Sequence, residues 1–252
     1  AEPPAPADGT LPEALLSAPR RVTPRRMASY SFNQLTPERL ESLVDLEGPV
    51  ELPELWAALE ATEVPAAALP PLEWVVGRVR DVLTVAANEA TLWARAIYPM
   101  LMLAEEQRVR AWSQVSLRAE LTRGGETTEL SGVIDGVLAR ENAMGGQARP
   151  PFLLIVEAKR AIDAPDPRPQ VLGALLASLA AEAPASDAPL ERFGCLTVGD
   201  AWHFIRVEFE LRPDAPRPVM RLAWSREYSQ QVEARRLLAV LLGLVRRRAK
   251  AP

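Results

Sequence analysis

Three ionisable residues near the middle of the chain have the types and spacing to do chemistry. Pro151 to Lys159 reads PFLLIVEAK, an apolar run that closes on a carboxylate, a small residue and an amine. Phe152 to Val156 has the length and β-branched content of a buried strand, and Glu157 and Lys159, two apart, must project to the same side of it. Charges that close a buried strand are costly unless they hold a metal, a partner or each other, so they mark a candidate site. The plain alternative is a Glu and a Lys ending in solvent. Upstream, Glu129 to Ala139 reads ELSGVIDGVLA and sets Asp135 alone among apolar residues. If the two strands are neighbours, Asp135 and Glu157 can converge.

Composition narrows the chemistry. With 252 residues, 48% hydrophobic and 25% charged, the chain has the make-up of a soluble globular protein with one domain of ordinary size. No apolar run approaches the roughly 20 residues of a membrane span, so no membrane partner is expected. One cysteine, Cys195, excludes an internal disulfide and a Cys-based zinc cluster, and it fits a reducing, intracellular setting, cytoplasmic or nuclear. One histidine, His203, excludes histidine-cluster metal sites and two-histidine acid–base pairs. Hard-metal chemistry through carboxylates stays open. A net charge of −4 argues against a broadly basic surface but not against a local basic track.

Around these residues the chain reads as follows. Residues 1–34, Ala- and Pro-rich at the start, are expected to be disordered, and residues 35–252 to form one domain. The start at Ala1 suggests a processed or trimmed product, with Met27 as an alternative internal start, and no signal-peptide order is present. Thr36 should cap a short helix with Pro37 in its first turn, and Pro53 to Ala61 a second, with Leu55, Trp56 and Leu59 on one face. Val64 to Pro71 reads as a connector. Leu72 to Arg110 has the longest helical pattern, including Trp74 and Trp93, with a bend or break at Pro99. Gln114 to Leu121 alternates as a strand and turns at Arg123 to Glu126 into the strand of Asp135. Arg140 to Pro150 is a flexible connection.

Beyond Lys159, the prolines between Ala161 and Pro169 forbid regular structure, and Gln170 to Ala181 resumes as a helix. Phe193 to Val198 and Ala201 to Leu211 form a hairpin at Gly199-Asp200, followed by a strand through Val219 to Trp224 and a helix from about Glu227 to Arg247. Cys195 and His203 read as structural. The basic end, Arg246 to Arg248 and Lys250, suits a helix C-terminus, with phosphate contact as the rival account.

Asp135, then Glu157-Ala158-Lys159 on the next strand, resembles the signature of the PD-(D/E)XK nuclease superfamily. The order helix, three strands, helix, strand matches that superfamily's core over about residues 72–211. The resemblance implies an α/β fold, a mixed central sheet flanked by helices, with additional N-terminal and C-terminal helices. Ile134 stands where the motif's proline would be. The resemblance further implies Mg2+ or Mn2+ held by Asp135, Glu157 and the Ala158 carbonyl, with Lys159 orienting water or stabilising negative charge. Glu89, on the first core helix, is similar to a glutamate that several branches carry there, and Gln170 resembles the amide of a frequent fourth motif. On sequence alone each is equally well an ordinary polar helix residue. The implied activity is metal-dependent hydrolysis of nucleic-acid phosphodiesters, DNA ahead of RNA, and two-strand cleavage would favour a homodimer.

Two alternatives stand beside this. A nuclease-like domain that binds nucleic acid or protein without cutting would keep the same residues. A structural cluster of Asp135, Glu157 and Lys159 would need no metal. Substrate specificity and pathway are not written in the motif, and restriction, repair, mobile-element processing and exported effector activity all use this fold.

Overall fold

The computed structural model describes residues 28–80, 87–123, 126–141, 146, 148–159, 166–182, 190–210 and 217–249. Among them eight strands form one mixed sheet: β1 (Ala28–Ser31), β2 (Asp45–Glu47), β3 (Val109–Arg123), β4 (Glu126–Arg140), β5 (Phe152–Lys159), β6 (Leu190–Val198), β7 (Ala201–Glu210) and β8 (Val219–Ser229). The helices are α1 (Pro37–Leu43), α2 (Pro53–Glu60), α3 (Leu69–Arg80), α4 (Glu89–Leu92), α5 (Tyr98–Met102), α6 (Arg168–Ala181) and α7 (Gln230–Ala249).

β3 and β4 pair antiparallel along their whole lengths, from Val109–Arg140 to Arg123–Glu126. On its other side β4 meets two partners in turn: β5, antiparallel, at Gly136 to Ala139, and β1, parallel, at Thr128 to Ser131. β5 then pairs parallel with β6, which a hairpin cannot achieve, and α6 makes the crossover. β7 and β8 follow antiparallel, and β2 closes the sheet beside β8.

Helices cover both faces, as the α/β reading expects. On one face α6 buries Val171, Leu172, Leu175 and Leu176 against Ile134, Ile155, Ile205 and Val207, joined by Phe32, Leu35 and Leu40. On the other, α7 buries Leu237, Leu238, Val240, Leu241, Leu244 and Val245 with Trp56, Val75, Leu154, Val156, Phe193, Trp202 and Phe204. Each fully buried aliphatic side chain contributes about 1.5–3 kcal/mol, so the helices outside residues 72–211 are integral to the fold.

The caps behave as expected: the Thr36 hydroxyl accepts the Arg39 N–H at 3.3 Å and Pro37 occupies the first turn of α1. Gly199 adopts φ 62° in the β6–β7 turn. His203 meets the Ser225 carbonyl at 2.6 Å, and Cys195 is fully buried, which pushes its thiol pKa well up.

Several expectations are corrected. Residues 28–34 are structured, as β1 and a 3-10 turn, because an edge of β4 lies open to pair with them; residues 1–27 lie outside the described chain. Helix begins inside the presumed connector, at Leu69, since Pro70 and Pro71 fall in the first turn where no N–H is needed. Pro169 likewise lies within the first turn of α6. The long helical pattern is helical at Leu69–Arg80 and again from Glu89 to Met102, with residues 81–86 outside the described chain; Gln107 takes φ 53° and β3 begins at Val109. Trp74 is 60% exposed with Arg78 over its ring, so it adds no core. Pro99 is accommodated by a π-helical turn, Trp93–Ile97, running directly into α5.

Candidate functional site

Side chains along a strand alternate between faces, and around Asp135 they do not. Leu130, Ile134 and Val137 all pack on the α6 side, while Leu138 packs on the α7 side. On β3, Trp112 and Val115, three apart, share the α6 side. Both strands therefore change face at one place, where Gln114 lies between the pairs Ser113–Gly136 and Val115–Ile134 with a left-handed φ of 54°.

β4 leaves β5 at this corner. The ladder runs through Gly136–Val156, and the next inward N–H of β5, that of Ala158, is accepted by the Asp135 side chain, Oδ2, at 2.9 Å. The carboxylate takes the place of a backbone carbonyl and holds open the gap between the strands. Its other oxygen, Oδ1, accepts from Gln114 Nε2 at 3.4 Å.

Glu157 and Lys159 share a side of β5, and Lys159 Nζ donates to Glu157 Oε1 at 2.5 Å. Glu157 is 3% exposed. Burial, then the negative charges of Asp135 and Glu89, push its pKa up to about 7, against the pull of Lys159. Burial works to lower the Lys159 pKa, but the hydrogen bond to Glu157 and the charges of Glu157, Glu89 and Asp135 outweigh it and raise it.

Glu89 stands near enough to interact electrostatically with Asp135, Glu157 and Lys159. Asn88 caps its helix, its Oδ1 accepting the Thr91 N–H at 2.8 Å, and places Glu89 in the first turn. Partial burial raises the pKa of Glu89, with Lys159 lowering it and Asp135 raising it. Two contacts fix this segment. A Cβ on Gly136 would lie 2.2 Å from Trp93 Cη2, so the residue after Asp135 must be bare for Trp93 to rest there. The buried Gln230 donates to the Ala96 carbonyl at 3.0 Å inside the π-helical turn and accepts from Trp202 Nε1 at 2.9 Å.

Of the residues singled out in sequence, Asp135, Glu157, Ala158, Lys159 and Glu89 come together. Gln170 stands half-buried in the first turn of α6, and its side chain makes no hydrogen bond among the described residues. Of the basic end, Arg246 pairs with Glu106 at 2.5 Å and Arg247 with Glu191 at 3.3 Å instead, while the Arg248 side chain and Lys250 lie outside the described residues. The sequence does not single out Gln114, Gly136, Trp93 or Gln230, which contact the cluster or the segment of Glu89; only Gly136, a glycine inside a strand pattern, carries a sign.

The donors are oxygens, and three carboxylates, Glu89, Asp135 and Glu157, face one ammonium, Lys159. That surplus of negative charge suits a hard divalent cation. Among the described residues no group of three or more His, Cys, Asp and Glu side chains stands close enough to hold a metal alone. Mg2+ is commonly held by one or two carboxylates and retained waters, so Asp135, Glu157 and a main-chain carbonyl fit it without a closed cage. A groove of about 840 Å3 between Val64 and Val232 shares none of these residues.

No helix among the described residues is long and apolar enough to cross a membrane. No protein-family model and no curated protein matches the chain.

Proposed function

We propose that this chain is a Mg2+- or Mn2+-dependent phosphodiesterase of the PD-(D/E)XK nuclease type, acting on nucleic acid, DNA ahead of RNA. The carrying observation is the meeting of Asp135 with β5 at Ala158, which sets its carboxylate beside Glu157 and Lys159 where β4 and β5 part. Asp135, Glu157 and the Ala158 carbonyl would hold the cation, with Glu89 on its outer side. The cation supplies Lewis acidity, lowering the pKa of water and offsetting charge on phosphate oxygens. Lys159 opposes the burial that raises the Glu157 pKa, and its ammonium has two further N–H donors for a phosphate oxygen or the attacking water. Asp135 and Glu89 add the negative charge that keeps Lys159 protonated. In the reaction water adds to phosphorus, one ester P–O bond breaks, and the departing oxygen takes up a proton.

The test is incubation of the protein with labelled duplex and single-stranded DNA and RNA in Mn2+, against Lys159→Ala. Cleavage by the wild type, lowered by on the order of 10²–10³ in the variant, supports the assignment. Equal cleavage by both proteins overturns it.

One observation favours a second reading, a nuclease-like module that binds without cutting. Asp135 and Glu157 already have protein partners, the Ala158 N–H and Lys159, so the cluster can persist with no cation. Nucleic-acid binding with no cleavage in any metal would select it.

A further inference from the structure

We propose that Gln114 is a positioning residue of the carboxylate site: its side-chain amide fixes the rotamer of Asp135, and the strand corner exists in the form that lets it do so. The inference rests on the cation-site reading given above, which assigns Asp135 its role.

Two independent features of Gln114 support this. Its backbone takes φ 54°, a conformation glycine adopts freely and a long side chain does not. A position that served only to bend the strand would be better filled by Gly, or by Asn, which tolerates this region. Its amide Nε2 is also directed at Asp135 Oδ1, 3.4 Å away, across the β3–β4 pair. Residues held in sparsely populated backbone conformations cluster at sites where a side chain must be aimed.

The geometry gives the amide a definite task. Asp135 Oδ2 is committed to the Ala158 N–H, and rotation about the side chain would release that bond. With Oδ1 held by Gln114, both oxygens are tethered, one from each neighbouring strand, and the lone pairs left over keep a fixed direction. Gln114 is exposed, so it acts from the solvent side of Asp135, the side from which a cation and its waters would arrive. Loss of the amide should therefore loosen Asp135 first and the fold hardly at all.

The test uses the full chain and two variants. Gln114→Asn keeps a residue that tolerates the left-handed backbone but is one methylene too short to reach Asp135. Gln114→Gly removes the conformational cost as well. Backbone amide exchange and the amide proton shift of Ala158 are read by NMR in EDTA, and Mn2+ affinity is read by calorimetry. In both variants the melting temperature should stay at or above that of the wild type, while Ala158 exchanges about tenfold faster and Leu154 and Val156 are unchanged. Mn2+ affinity should fall several-fold in parallel. An unchanged Ala158 shift and exchange rate in Gln114→Asn overturns the assignment of Gln114, whatever the metal result. Faster Ala158 exchange in a protein whose wild type takes up no Mn2+ keeps Gln114 as the residue that positions Asp135 and discards the cation site instead.

Discussion

Asp135 Oδ2 accepts the backbone N–H of Ala158 at 2.9 Å, so one carboxylate both bridges β4 to β5 where the ladder ends and stands beside Glu157. The two tasks can be separated. Asp135→Asn can still accept through its amide oxygen and should fold with a melting temperature near the wild type. Asp135→Ala leaves a buried N–H unpaired and should lose about 1–3 kcal/mol. Chemical denaturation of the two variants checks the order; equal loss in both would mean that the bond contributes nothing.

Glu157 gives the protein a pH dependence of known sign. Its folded-state pKa, about 7, lies above the ordinary carboxyl value of 4.5. A raised folded pKa contributes stability that is fully present below about pH 4.5 and is lost as pH rises through about 7. In EDTA, Glu157→Gln should therefore be more stable than the wild type at pH 8, by up to about 3 kcal/mol, and no more stable at pH 4.5. Urea titrations at the two pH values check this, and a pH-independent difference would contradict it.

Gly136 leaves room for Trp93, and that contact holds the helix of Glu89 against the sheet. Gly136→Ala should destabilise by about 1–3 kcal/mol through overpacking. Adding Trp93→Leu should recover part of the loss. A single Gly136→Ala change with unaltered stability would show that the ring moves aside freely.

Gln230 is fully buried and joins Trp202 to the π-helical turn. Gln230→Leu would strand the Trp202 N–H and the Ala96 carbonyl, at about 1–3 kcal/mol each. Thermal unfolding should show a fall of many degrees. Gln230→Ala, if water enters and bridges the two groups, should fall less than Gln230→Leu.

The candidate site is more legible in the sequence than its supports are. Glu157 and Lys159 were readable because a strand's period of two admits no other arrangement, and Asp135 because a charge in an apolar strand demands a partner. Glu89 is singled out only by its resemblance to a glutamate that several branches of the superfamily carry on the first core helix, since an ordinary helix glutamate reads the same. The corner at Gln114 left no sign, since nothing in its residue type announces a positive φ. Strand β1 was missed for a related reason: its pairing depends on β4 turning away from β5, a contact about a hundred positions distant in sequence. Pro70 and Pro71 suggest a connector in sequence, but they lie in the first turn of α3, where a missing N–H costs little.

The central claim, a cation held by Asp135 and Glu157, is tested most directly by thermal unfolding of the wild type and Asp135→Asn in Mn2+, in Mg2+ and in EDTA. Binding to the folded state alone raises the melting temperature, by about 2.7 kcal/mol of added stability at a hundredfold excess over the dissociation constant. The expected result is a rise in the wild type with Mn2+ that is absent or much reduced in Asp135→Asn. Identical melting temperatures in metal and in EDTA for the wild type, at millimolar metal, would contradict it.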